Sequence, residues 1–149
     1  TAAPGGGSAA AYSGAAAAAL VGMVARLTVG RKKYAQVHEQ MQAVLERAEA
    51  LRQELTLSIE RDAVAFTAVM DALRLPKDTP EQEGVRTRAI DTATLHAARV
   101  PLESAKMAVE VLELALRAQQ AELLPCPENG QDRPFRLTTR GHDQTCRFH

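Results

Sequence analysis

The chain has 149 residues, with 18 Lys and Arg against 18 Asp and Glu, and only two Tyr, three Phe and no Trp among its aromatic side chains. With charge balanced and so few aromatic residues, nothing in the composition argues for a nucleic acid or an anionic membrane surface as partner. The length allows one domain with a real core, but 28 residues are alanine, so stability must come from helices packed backbone-close rather than from large side chains.

The first predicted element follows Pro4-Gly5-Gly6-Gly7-Ser8. Three consecutive glycines carry a conformational cost, so the folded state should need bare backbone there. Two explanations stand side by side: a tight helix start with Ser8 as N-cap, or free N–H groups at the start of a helix facing an anion. The glycines match neither a P-loop nor a dinucleotide fingerprint. A helix is expected from about Ser8 to Val29, stopping at Gly30 as C′ residue. Its uncharged stretch from Ala9 to Ala25 is too short and too alanine-rich for a transmembrane span, and it lacks the charged start and cleavage site of a signal peptide. A buried helix of a soluble bundle, with no membrane partner, is the expectation. Gly14 and Gly22, with Ala10, Ala18 and Ala25, should give it a small-residue surface for another helix.

Arg31 to Gln36 lead into a second, very long helix. Val37, Met41, Leu45, Ala48, Leu51, Leu55, Ile59, Ala63, Phe66, Met70 and Leu73 recur at spacings of three and four, which describes one stripe. Leu75-Pro76 ends it, because the residue before a proline is driven out of the helical region. Thr79-Pro80-Glu81-Gln82 then reads as N-cap, first helical position and capping box. The third helix runs toward Arg99, and Val100-Pro101 either kinks it or restarts it as a fourth that ends before Pro125. Strand patterns are missing, so the fold class is all-α: an antiparallel up-and-down helical bundle with one very long helix. Residues 1–124 form the helical domain and residues 125–149, which lose all apolar period, an irregular tail.

Asp62 is the leading chemical candidate. It lies three residues after Ile59 and four before Phe66, on the face of the apolar stripe. A carboxylate there either pairs with a neighbouring helix or, partly desolvated, serves proton transfer. Arg31, Lys32 and Lys33 follow the first helix, where cations complement the helix dipole or grip an anionic ligand; Lys77, in a loop, has the same two explanations. His38 should be exposed and His96 can be buried. Cys126, His142, Cys146 and His149 match no standard zinc spacing. Two late cysteines make no disulfide framework, which fits a reducing cytoplasmic setting.

Four stretches in this order, PGGGSAAA, MVARLTVGRKKY, DAVAFTAVMDALRLPKDTPEQE and VPLESA, resemble the cyclodeaminase/cyclohydrolase family. This family comprises the cyclodeaminase half of formiminotransferase-cyclodeaminase and the stand-alone methenyltetrahydrofolate cyclohydrolases. The likeness spans about Pro4 to Leu116, and its most specific part is Asp62, Ala63, Ala65 and Phe66 followed by Leu75, Pro76 and Lys77. It implies a dimeric helical bundle acting on one-carbon tetrahydrofolate. The reaction is either closure of formimino-tetrahydrofolate to the methenyl form with loss of ammonia, or hydrolysis of the methenyl bridge to formyl-tetrahydrofolate. No metal or redox cofactor is implied.

On this resemblance Asp62 moves the proton, Gly5, Gly6, Gly7 and Ser8 let the folate approach the backbone, and Lys33 and Lys77 pair with its glutamate tail. A homodimer and a formiminotransferase partner are the implied associations. The family pattern has a helix before the glycine loop and two more after the helix matching Pro101 to Leu116. The domain is therefore expected to be incomplete at both ends, with a catalytically inactive helical oligomerisation module of the same family as the alternative.

Overall fold

The computed structural model describes residues 5–122. The tail expected at 125–149, with its cysteines and histidines, lies outside the described residues. Three long helices follow one another: α1, Gly6–Thr28; α2, His38–Leu73; and α3, Pro80–Glu122, with a short 3-10 turn at Lys32–Val37 between the first two. No strand occurs among the described residues. The all-α bundle expected from the sequence is the fold found.

α1 begins two residues earlier than expected. Gly5, in extended conformation, occupies the cap position without a side-chain cap bond, and Ser8 sits inside the first turn rather than capping it. The stop is as read: Gly30 has φ of +80°, the left-handed geometry that a glycine adopts without strain. α2 reaches Leu73, just before Leu75-Pro76. At α3, the Gln82 N–H donates to Thr79 Oγ1 at 3.3 Å. The Gln82 side chain accepts from the Asp78 N–H at 3.0 Å, one residue upstream of an ideal capping box. α3 then runs unbroken for 43 residues with Pro101 inside it. Of the two outcomes left open at Val100-Pro101, the chain takes the continuous one. Proline removes one backbone bond there, and buried Ser104 donates its hydroxyl to the Val100 carbonyl at 3.2 Å in the same turn.

α1 runs antiparallel to α2. Ser8 meets Ile59 and Asp62, Gly14 lies against Leu55, and Gly22 lies near Leu45. α3 returns beside α2, with Arg47 and Glu110 joined by a two-point ion pair at 2.6 and 2.7 Å. That contact holds the Glu110 carboxyl below the usual carboxylate range through the Arg47 hydrogen bond. The core collects where all three helices meet: Ala18, Val21 and Ala25 from α1, Met41, Ala48, Leu51 and Leu55 from α2, and Val111, Leu114 and Ala118 from α3.

Beyond Asp62, α1 has ended and, among the described residues, α2 continues with α3 alone. The apolar stripe of α2 therefore divides. Met41, Ala48, Leu51 and Leu55 are fully buried, whereas Phe66 is 40% and Leu73 43% exposed. At the far tip Arg86 of α3 reaches the Leu73 carbonyl at 3.3 Å and so caps the end of α2.

The buried face of α1 also differs slightly from the expected one. Gly14, Ala18, Gly22 and Ala25 point inward as read, but Ala11 replaces Ala10. α1 is long and apolar enough to cross a membrane, with mean hydropathy 1.5 over its best stretch, 44% of which is buried in the bundle. Its outward side carries Tyr12, Leu20, Met23 and Leu27, all about half exposed or more.

The two interior glycines of α1 are not equivalent. A Cβ at Gly22 meets nothing nearer than 3.8 Å, whereas at Gly14 it stands 3.2 Å from Leu55 Cδ1, and Leu55 is fully buried. Replacing a mid-helix glycine by alanine stabilises by about 0.5–1 kcal/mol when space permits. Chemical denaturation should show that gain for Gly22→Ala and a smaller one, or a loss, for Gly14→Ala.

Candidate functional site

An α-helix leaves the N–H groups of its first turn without intrahelical partners. In α1 the Ser8 N–H finds its acceptor on another helix, Asp62 Oδ2 of α2 at 2.7 Å. The Ser8 hydroxyl lies 2.8 Å from the same oxygen and 3.2 Å from the Ile59 carbonyl. Asp62 thus caps α1 across 54 residues of sequence. A carboxylate in this position also meets the positive end of the helix dipole. Oδ2 takes both hydrogen bonds, and among the described residues Oδ1 accepts none.

This geometry answers what the glycines are for, one by one. A Cβ on Gly7 would overlap the Asp62 carboxylate, Oδ1 first and then Cγ at 2.6 Å, so Oδ1 lies against the bare Cα of Gly7. The bare Cα is what lets the carboxylate lie against the helix end. Gly5 and Gly6 differ: both are exposed, and a side chain on either would meet none of the described residues within 4 Å. Ser8 is 2% exposed. The sequence left a choice between tight helix start and anion site; the structure has an anion there, and it belongs to the chain.

Asp62 is itself half-buried, and Phe66, one turn further along α2, offers an apolar ring at the open surface beyond the start of α1. The cationic candidates stand elsewhere. Lys33 lies in the 3-10 turn after the opposite end of α1, its Nζ 5.7 Å from the centre of the Tyr34 ring. At 1.5 Å rise per residue, the length of α1 puts about 30 Å between Ser8 and that end. Lys77 lies in the exposed connection from α2 to α3, beyond about 16 Å of helix from Asp62. One chain therefore brings Gly7, Ser8 and Asp62 together and leaves Lys33 and Lys77 apart from them.

Two clefts flank other parts of the molecule. One of about 600 Å³ at the basic end is lined by Gly30, Arg31, Lys32 and His38, among others. His38 is exposed, as expected, and its Nδ1 accepts from the Gly30 N–H at 3.3 Å. The other, about 470 Å³, lies between α2 and α3 and is lined by Glu60, Arg61, Val64, His96 and Glu103. His96 is exposed there rather than buried. No group of three His, Cys, Asp or Glu is placed to hold a metal ion among the described residues. The Ser8–Ile59 contact was not legible in the sequence, because nothing local pairs a first-turn hydroxyl with a carbonyl 51 residues away.

The profile of the formiminotransferase-cyclodeaminase family matches residues 1–122. The chain belongs to that family. A methenyltetrahydrofolate cyclohydrolase of Methylorubrum extorquens is 49% identical over 112 residues, covering 75% of this chain and 54% of that protein. The formimidoyltransferase-cyclodeaminase of Rattus norvegicus is 36% identical over 126 residues, covering 85% of this chain and 23% of that protein. That of Sus scrofa is 39% identical over 106 residues, covering 71% and 20%. The chain thus spans about half the length of its cyclohydrolase relative and about a fifth of the bifunctional ones.

The Gly7–Asp62 contact gives the glycine run before α1 a structural test. Gly7→Ala should destabilise the chain by about 1–3 kcal/mol, the usual cost of overpacking with loss of a charged hydrogen bond. In an Asp62→Ala background the same substitution should be neutral or stabilising, because the obstructing carboxylate is gone. Thermal melts of the four proteins check it.

Proposed function

We propose that this chain builds part of a folate-dependent one-carbon site in which Asp62 transfers the proton. The observation that carries the reading is the carboxylate itself: half-buried, fixed by Oδ2 on the start of α1, with Oδ1 beside the bare Gly7 and accepting no hydrogen bond among the described residues. The substrate class comes from the likeness to a methenyltetrahydrofolate cyclohydrolase and to formimidoyltransferase-cyclodeaminases.

Either family reaction passes through a tetrahedral carbon between two nitrogens. In ring closure with loss of ammonia, the attacking nitrogen gives up a proton and the departing amino group gains one. In hydrolysis, the attacking water gives one proton to the carboxylate, which passes it to a ring nitrogen as its bond to carbon breaks, and the remaining O–H proton leaves to solvent as the formyl C=O forms. A single fixed carboxylate serves both steps, as base and then as acid. Gly5 and Gly6, open to solvent, are the backbone that a flat pterin would approach, and Phe66 supplies an apolar ring nearby.

Lys33 and Lys77 are the proposed partners of the glutamate tail, as cations pair with carboxylates. Lys33 stands at the far end of α1, so in this proposal it comes from the basic end of a second copy in a homodimer, whereas Lys77, at the other end of α2, comes from the same chain as Asp62. A formiminotransferase partner, which the names of the formimidoyltransferase-cyclodeaminases suggest, and a cytoplasmic setting are parts of this proposal.

Asp62→Asn tests it. The amide oxygen still accepts from Ser8, so the helix junction persists, while the proton-transfer group is lost. Turnover of formimino- or methenyl-tetrahydrofolate, followed by absorbance of the methenyl form, should fall at least about 100-fold. Unchanged turnover would remove Asp62 from the chemistry. A folded, helical chain with no turnover on either folate would leave the association role instead, for which the exposed Tyr12, Leu20, Leu57, Val64 and Leu112 provide surface.

A further inference from the structure

We infer that Ser8 is a positioning residue, which acts on the reaction through Asp62 and makes Oδ1 the reacting oxygen; the inference rests on the proposed role of Asp62. A free carboxylate has two equivalent oxygens and rotates between them. Here the Ser8 N–H and hydroxyl both point at Oδ2, at 2.7 and 2.8 Å, and hydrogen bonds to an ionised acceptor are the strong ones. That leaves Oδ1 as the oxygen that takes the proton from the attacking nitrogen or water, and returns it to the departing nitrogen.

The hydroxyl has one proton and two acceptors within reach, Asp62 Oδ2 and the Ile59 carbonyl at 3.2 Å. With Asp62 ionised, the proton belongs on Oδ2. When Oδ1 has gained a proton and the carboxyl is neutral, the pull of Oδ2 weakens and the hydroxyl turns to Ile59. The change is a rotation about one bond, with no heavy atom displaced. The Ser8 N–H holds Oδ2 in both states, so the carboxyl keeps its aim through the proton cycle. Ser8 is 2% exposed and Asp62 is half-buried, so a folate approaching this end of α1 meets Asp62 and not the serine.

The test is steady-state kinetics of the full chain on methenyl- and formimino-tetrahydrofolate, with kcat expressed per folded molecule. Ser8→Ala should lower kcat by roughly tenfold, the order of one hydrogen bond to a charged group, with KM changed by less than about twofold. Ser8→Cys fills the same space with a weak donor and should lose kcat similarly, which separates the hydrogen bond from packing if Ser8→Ala folds poorly. Ser13→Ala, at an exposed serine one turn further on, should alter neither parameter. A tenfold rise in KM at constant kcat would make Ser8 a substrate contact and overturn the inference, as would unchanged kinetics in both Ser8 variants. If Asp62→Asn abolishes turnover in that last case, the inference alone has failed. If Asp62→Asn leaves turnover intact, or the unaltered chain has none, the reading beneath it has failed as well.

Discussion

The structure depends on one junction, the Asp62 carboxylate set into the first turn of α1. It satisfies a backbone donor that the helix cannot satisfy itself, places a negative charge at the positive end of the helix dipole, and fixes the register of α1 against α2. Each partner is constrained by the others. Gly7 has to be bare so that the carboxylate can approach, Ser8 has to be buried to reach it, and Ile59 lies one turn earlier on α2 to receive the same hydroxyl.

From this junction the bundle has two unlike halves. On one side α1, α2 and α3 close over a core of alanine, valine and leucine, with small residues such as Gly14 and Ala18 letting the helices approach. On the other, α2 and α3 continue as a pair, so apolar residues of the α2 stripe stand open, Phe66 among them. Asp62 lies at the boundary. It has enough protein around it to be held in one orientation and enough open surface to be reached, which is the combination proton transfer to a bound ligand requires.

Much of this was legible because the signals are local. Gly30 adopts the positive φ that a helix stop needs, and Thr79-Pro80-Glu81-Gln82 carries its own capping chemistry. Asp62 could be singled out because helical spacing alone puts it on the stripe. What the sequence hid is non-local. Ser8 looks like an N-cap by the chain-local rule, yet the donor is satisfied by a carboxylate 54 residues away. Periodicity identified the face carrying Phe66 and Leu73 but says nothing about what covers it, and beyond α1 those two are exposed. Nor does Pro101 announce whether it breaks a helix; α3 continues because neighbouring turns hold it.

The proposal assigns proton transfer to this carboxylate, with Oδ1 as the reacting oxygen. The most direct test is a crystal structure of the chain with methenyl-tetrahydrofolate bound. The account predicts the one-carbon unit beside Asp62 Oδ1, with Oδ2 still on the Ser8 N–H. A folate bound away from Asp62, or one that draws the carboxylate off Ser8 to bind, would contradict it.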